Sequence, residues 1–416
     1  MLMTKAPIID PASSGPSKAP RIFGMQKIVS LVYVGGDVTP LWNGLMQRVT
    51  ADPNDAAALM DLAIILQTLG RTEEARQILK NAVQLSRNFC VVHGSGAGPR
   101  LLAFVTEGDF MANTPLDFLL ADSDCVLLLH YVDLRTTALT DLPDHDTAFM
   151  AIGESTENGP LLAHMHGLLA GYDGPVMNRN PKLIAGLTRD GVSAMLASEP
   201  SLLSPTTHRI PRGDLSAVAA GARQLRDSAK GLAFPLVVRP ISTHAGNGME
   251  RIADPAELSA FLATQPASEL YVAPFVDFRG ADGYYNKQRV VFIDGKAFAS
   301  HMALSDHWIV HYLSAGMDRN AAKRAVEQAW MEDFDRDFAI RHAESFAALC
   351  RHIDLDYFGI DCAELPDGRL LVFEVDVAMV VHNMDDPIVY PYKQVAMRKL
   401  FDGFIDAVRR RASRAF

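Results

Sequence analysis

Three acids near the end of a 416-residue chain, Asp361, Glu374 and Asp376, flank a Pro366-Asp-Gly368 turn between two apolar runs, Tyr357-Phe-Gly-Ile-Asp361 and Leu370-Leu-Val-Phe-Glu374-Val-Asp376. Two such runs around Pro-Asp-Gly read as a β-hairpin. A two-residue Asp367-Gly368 turn would set Asp361 opposite Glu374, with Asp376 on the same face. A three-residue Pro-Asp-Gly loop would slip the register by one and send Asp361 and Glu374 to opposite faces. Both registers stay open. Carboxylates facing each other at ~5 Å repel unless a cation or proton lies between them. Hydrated Mg²⁺ that also grips phosphates would meet that need. The plainer reading is solvated acids on an exposed face.

A second cluster is cationic. Phe234-Pro-Leu-Val-Val-Arg239-Pro240 reads as a buried strand delivering an arginine. It runs into Ile241-Ser-Thr-His244-Ala-Gly246-Asn-Gly248-Met249. Glycines there let backbone amides approach phosphate oxygens without a side-chain clash. A salt-bridged arginine followed by an ordinary hairpin turn would give the same pattern. Further on, Tyr284, Tyr285, His301, Asp306, His307, Trp308, His311 and Tyr312 make a dense His/aromatic set. His301 and His311 are the preferred pair for proton transfer near neutral pH, although a lone histidine is more often structural.

Several elements must position these groups. Apolar runs at Cys90–His93, Leu101–Val105, Cys125–His130 and Thr147–Ile152 read as buried strands between helices. The loop His93-Gly-Ser-Gly-Ala-Gly98-Pro-Arg100 lacks the Lys-Ser/Thr ending of a P-loop and reads as a tight structural turn. Upstream, Leu59, Leu62, Ala63, Leu66, Gly70, Ala75, Leu79 and Ala82 fall at the spacing of about one tetratricopeptide repeat. Asp52-Pro-Asn-Asp55 supplies its helix start. One repeat cannot bury its own face, so it must lean on a neighbour. The Pro/Ser-rich start, through residue 25, reads as a flexible leader without signal-peptide character.

The chain is 49% hydrophobic and 21% charged, with a formal net charge of -10. That balance suits a folded protein of two or three domains and argues against a nucleic-acid partner. The separated cysteines Cys90, Cys125, Cys350 and Cys362 read as reduced and inert. No run is apolar enough to span a membrane, so a cytoplasmic protein without a membrane partner is expected.

Taken in order from Asn178 to Asp376, these segments resemble the ATP-grasp ligases, above all the branch of glutathione synthetases and of ligases that add glutamate to a ribosomal protein. Met177-Asn-Arg-Asn-Pro-Lys182 resembles the family's entry into its first nucleotide lobe, and Val238-Arg239-Pro240 its ATP-contacting strand and flap. Leu270-Tyr-Val-Ala-Pro-Phe-Val276 resembles the adenine-binding hinge. Lys287-Gln-Arg289 resembles the strand carrying a phosphate- or acyl-phosphate-binding arginine. Gly359-Ile-Asp361 and Phe373-Glu374-Val-Asp376 resemble the metal-binding strands.

The resemblance implies an α/β (α+β) chain with a two-lobed ATP-grasp fold over 177–416. Before it come a small α/β domain at 89–176 and a helical hairpin unit at 26–88. It implies ATP and Mg²⁺ as cofactors. Nucleotide contacts would come from Lys182, Arg239, His244, Gly246, Gly248, Ala273 and Phe275; metal ligands would be Asp361, Glu374 and Asp376. Arg289, His301 and His311 would carry the chemistry. The implied reaction forms an acyl phosphate and passes it to an amine or other nucleophile; within that class the helical unit points to an amino acid or peptide substrate. Arg239 for the usual lysine, Pro274 for a common glutamate and Asp376 for the usual asparagine mark a divergent branch. Self-association is left open, as are a non-catalytic nucleotide-binding scaffold that binds a peptide and an NAD-dependent dehydrogenase.

Overall fold

The computed structural model describes residues 19–241 and 246–413. It is a mixed α/β fold that divides into two compact units. Unit 1 takes Met1–Ile152, Leu168–Met177 and Val408–Phe416; unit 2 takes Gly153–Gly167 and Asn178–Ala407. Among the described residues, no helix is long and apolar enough to cross a membrane.

Unit 1 opens with four helices, α1 (Met25–Tyr33), α2 (Thr39–Ala51), α3 (Ala56–Thr68) and α4 (Thr72–Leu85). Asp55 caps α3, accepting from the Ala58 N–H at 2.9 Å, as the sequence predicts for that start. Alanine and aliphatic residues cover α3 almost all round, and it is buried from Ala56 through Ala63. Gly70, at φ 76°, turns the chain. In α4 only Ala75, Leu79, Ala82 and Val83 are buried, a single apolar stripe. Asp61, fully buried within α3, accepts from the Phe23 and Gly24 N–H groups at 2.9 and 3.3 Å. Asp117 accepts from the Gln26 N–H at 2.7 Å. Two carboxylates thus satisfy donors that the start of α1 leaves open.

The sheet of unit 1 comprises β1 (Asn88–Val92), β2 (Arg100–Val105), β3 (Val126–Tyr131), β4 (Thr147–Met150) and β5 (Val176–Met177) in the order β1-β3-β2-β4-β5. Only β1 runs antiparallel. The flexible leader expected through residue 25 gives way sooner. Cys90 N–H donates to Pro20 and Ile22 N–H donates to Cys90, both at 2.9 Å, because β1 has backbone groups to spare there.

Unit 2 has two sheets. One is antiparallel, β7-β10-β8-β9, from β7 (His208–Pro211), β8 (Leu236–Pro240), β9 (Glu250–Ile252) and β10 (Glu269–Pro274). Leu236, Val238, Leu270 and Val272 enter its core with Leu215, Leu258 and Phe261 from covering helices. Strand alternation then turns Arg239 and Tyr271, which are register partners, to the other face.

The second sheet has the order β12-β11-β13-β14-β6, from β6 (Leu202–Leu203), β11 (Tyr285–Ile293), β12 (Lys296–Ser305), β13 (Tyr357–Glu364) and β14 (Leu370–Asp376). Its β13–β14 hairpin resolves the open register in an unexpected way. Glu364 pairs with Leu370 and Cys362 with Val372, the register of a three-residue turn; yet Asp361 pairs with Glu374. Phe373 is bulged out between them, and that extra residue restores the two carboxylates to one level.

Candidate functional site

One row crosses four strands of the second sheet. His301 pairs with Arg289, Arg289 with Asp361, and Asp361 with Glu374. Lys287 and Asp376, two positions from Arg289 and Glu374, share their face. A second register shift falls beside Arg289 on β11, so both bulges in this sheet border the row. Bulges re-aim neighbouring side chains, which is their effect here.

Asp361 holds the centre, its side chain 3% exposed. Arg289 grips it with two donors, Nε to Oδ1 at 2.8 Å and Nη2 to Oδ2 at 3.1 Å; Lys287 Nζ reaches Oδ2 at 2.8 Å. Burial would raise this carboxyl, but Arg289 and Lys287 outweigh it and hold Asp361 well below the usual range. Glu374 bonds Arg189, from the helix Arg189–Leu196, and Arg189 also donates to the carbonyl of the bulged Phe373 at 3.3 Å. Against burial, Arg189 keeps Glu374 ionised below its ordinary value.

Two further groups feel this row. Burial, then the like charge of Arg189, pulls Arg239 down to about 10. Burial, then the negative charge of Asp376, pushes Glu154 up to about 7. His301 is driven well below the ordinary histidine value by burial, then by Arg289 and Lys393; His311 is lowered by burial, then by Lys287 and Arg289. Both imidazoles are therefore neutral at pH 7.

The remaining residues singled out in the sequence are dispersed. Lys182 is exposed on the short helix Pro181–Ala185 and enters no ion pair with the row among the described residues. His244 lies outside the described residues. Gly246 and Gly248 adopt φ 76° and 65°, the left-handed backbone that their loop requires. Ala273 pairs with Val237 on β8. The Phe275 N–H is already given to Pro235 at 2.9 Å, while its ring meets Trp308 edge to face at 5.5 Å and lies under Arg251 at 4.8 Å. Tyr312 packs on His301 at 4.9 Å but donates its hydroxyl to the buried Glu327 at 2.9 Å. Tyr392 donates to Glu327 at 2.6 Å, and Lys393 contacts both Glu327 and Asp385, at 3.4 and 2.8 Å. Tyr284 lies under Lys323, and Tyr285 packs on Phe278.

Asp361, Glu374 and Asp376 as they stand do not fit a magnesium ion. Both Asp361 oxygens are taken by cations, Arg189 occupies Glu374, and no group of three acids, histidines or cysteines among the described residues is placed to hold a metal. Sequence reasoning missed Arg189 and Glu154, whose segments carry no local signal. Lys287 is legible in the sequence, since its spacing of two from Arg289 on a strand puts both on one face.

The glycine loop after β1 is the structural turn that the sequence predicts. Ser95 gives both its N–H and its hydroxyl to Asp124 Oδ1, at 2.8 and 2.7 Å, and Gly98 N–H donates to the Asp124 carbonyl at 2.7 Å. A carboxylate of the chain fills the place a phosphate would need.

No protein-family model matches this sequence, and no curated protein matches it. Among solved structures, the chain is similar to a RimK domain protein ATP-grasp from Sphaerobacter thermophilus, at 14% identity over 74% of this chain and 99% of that one, with a TM-score of 0.40. It is also similar to the D-alanine–D-alanine ligase of Bacillus anthracis complexed with ATP, at 16% identity over 76% and 99%, with a TM-score of 0.41. A third is the D-alanine–D-alanine ligase of Coxiella burnetii, at 16% identity over 65% and 71%, with a TM-score of 0.40. Likeness this distant carries no function across.

Proposed function

We propose that unit 2 is an ATP-dependent ligase that converts a carboxylate to an acyl phosphate and passes the acyl group to an amine, on an amino acid or peptide. The observation carrying this reading is the row on the second sheet, where Lys287, Arg289 and Arg189 each hold a carboxylate of the chain and Arg239 lies within their field. Every such pair marks a place where an anion is already held, and an incoming phosphate or carboxylate could take it over. Phe275 and Trp308 add an aromatic wall suited to a flat base.

In this reading a substrate carboxylate oxygen attacks the γ-phosphorus. The bond from phosphorus to the bridging oxygen breaks, and ADP leaves with that electron pair. Arg239 and Arg289 meet the charge spread over the transferring group. The amine then attacks the acyl carbon, phosphate departs, and neutral His311 takes the amine's proton. His301, the register partner of Arg289, packs on Tyr312 beside the row.

The test is ADP release across pooled carboxylates and amines, with mass spectrometry of the products. Arg289→Met is expected to lower turnover at least a hundredfold while Lys287 still neutralises Asp361. Arg239→Ala should weaken ATP binding in calorimetry, and Arg239→Lys should retain part of it, because the point charge survives without the planar fork. Undiminished ADP release by Arg289→Met would overturn the assignment.

A further inference from the structure

Glu327, on the helix Ala321–Asp333, is fully buried and gathers four donors on its two carboxylate oxygens. Oε1 accepts from the Met302 N–H at 3.0 Å and lies 3.4 Å from Lys393 Nζ. Oε2 accepts from the hydroxyls of Tyr312 at 2.9 Å and of Tyr392 at 2.6 Å. Lys393, equally withdrawn from water, also reaches Asp385 at 2.8 Å and donates to the Tyr312 hydroxyl. A buried carboxylate is tolerated when its lone pairs are met in this way, and a network so satisfied holds its members in one arrangement.

Two of these donors stand beside the two histidines of the ligase reading. Met302 follows His301 on β12, at the edge of the second sheet, and its N–H goes to Glu327 instead of to a further strand. Tyr312 follows His311 and opens the one-turn helix Tyr312–Ser314, none of whose residues is buried. The His311 carbonyl accepts from the Ser314 and Ala315 N–H groups at 3.1 and 3.0 Å, which ties His311 to that turn. The Tyr312 ring packs on His301 at 4.9 Å and lies under Lys393 Nζ at 4.0 Å. One carboxylate thus grips the immediate neighbours of both imidazoles.

We propose that Glu327 is a positioning residue: through the Met302 N–H and the Tyr312 hydroxyl it fixes where His301 and His311 stand, and so governs the transfer of the acyl group to the amine. Its part in that step rests on the ligase reading. Formation of the acyl phosphate needs no base, because the substrate carboxylate already carries the attacking electron pair. The second step does: as the C–N bond forms and the C–O bond to phosphate breaks, the amine gives up a proton. Loosening the hold of Glu327 therefore separates the two steps, so that ADP is still released while less amide is made.

The test uses the full chain with the carboxylate and amine that the ADP-release screen yields. Hydroxylamine serves as a second acceptor, since it is unprotonated at neutral pH and reacts with an acyl phosphate without a base. Tyr312→Phe and Glu327→Gln are expected to form at least fivefold less amide per ADP, with hydroxamate per ADP and the KM for ATP within twofold of wild type. Glu327→Gln keeps an acceptor in place and should retain more amide than Glu327→Leu. If Glu327→Gln does not fold, Tyr312→Phe, which removes one hydroxyl, carries the same comparison. A merely structural role would lower amide and hydroxamate together; that result would overturn the proposal, as would unchanged amide per ADP in Tyr312→Phe. Absence of ADP release by the wild-type chain would instead remove the ligase reading. The positioning is then read directly from the imidazole nitrogen signals of His301 and His311 by NMR, assigned with His301→Asn and His311→Asn. Both are expected to move in Tyr312→Phe, and unmoved signals would overturn it.

Discussion

At the residue scale, Asp361 decides how the row holds together. It sits between Lys287 and Arg289, both largely withdrawn from water, and neutralises the field they create. Removing one partner of a buried pair strands the other charge, at a cost of about 3–5 kcal/mol. Asp361→Asn is expected to lose stability on that order in urea unfolding, and Lys287→Met less, because Arg289 keeps its two donors on the carboxylate. The titration follows in sign: the Asp361 carboxyl lies lower in the folded chain than in the unfolded one. Its contribution is full above the unfolded value and disappears as pH falls through the folded one. Much of this was readable in advance, since Asp361, Glu374 and Arg289 stand out by type and by strand spacing. Arg189 was not, because its link to Glu374 joins residues 185 positions apart and leaves no local pattern.

At the element scale, the β13–β14 hairpin shows why the sequence left two registers open. The turn chemistry favoured neither, and the bulge that decides the outcome is supported by Arg189 donating to Phe373 from a distant helix. Its cause is tertiary, so no reading of the twenty residues around the turn could find it. Local signals served better in the helices. Asp55→Ala removes the cap of α3 and its pairing with Arg48 at 2.8 Å, and is expected to cost about 1–2 kcal/mol in chemical denaturation. The start of α1 depends on Asp61, pushed up to about 7 by burial despite its backbone donors, against an ordinary 3.8. Between those values the folded chain keeps a proton that the unfolded chain has lost, so stability is full below the lower value and falls as pH rises toward the upper. Urea midpoints measured across that window should decline in the wild type and flatten in Asp61→Asn.

At the scale of the whole molecule, the proposed chemistry belongs to unit 2. Arg76 is an exposed residue of α4 that pairs with Glu73, so Arg76→Glu should leave ATP affinity within twofold of wild type in calorimetry. Saturating ATP should raise the unfolding temperature of unit 2, in proportion to the logarithm of ligand over dissociation constant. The helical segment and the strands that follow it share one compact unit, since a stripe such as that of α4 must find a partner surface.

The chain's path between the units, four crossings in all, has a mechanical corollary. Residues 19 and 413 both belong to unit 1, so a molecule held by those points carries tension through unit 1 alone. Unit 2 hangs outside the load path until its host ruptures. Single-molecule extension from these handles should therefore give a first rupture whose released length is that of unit 1, with unit 2 yielding only afterwards.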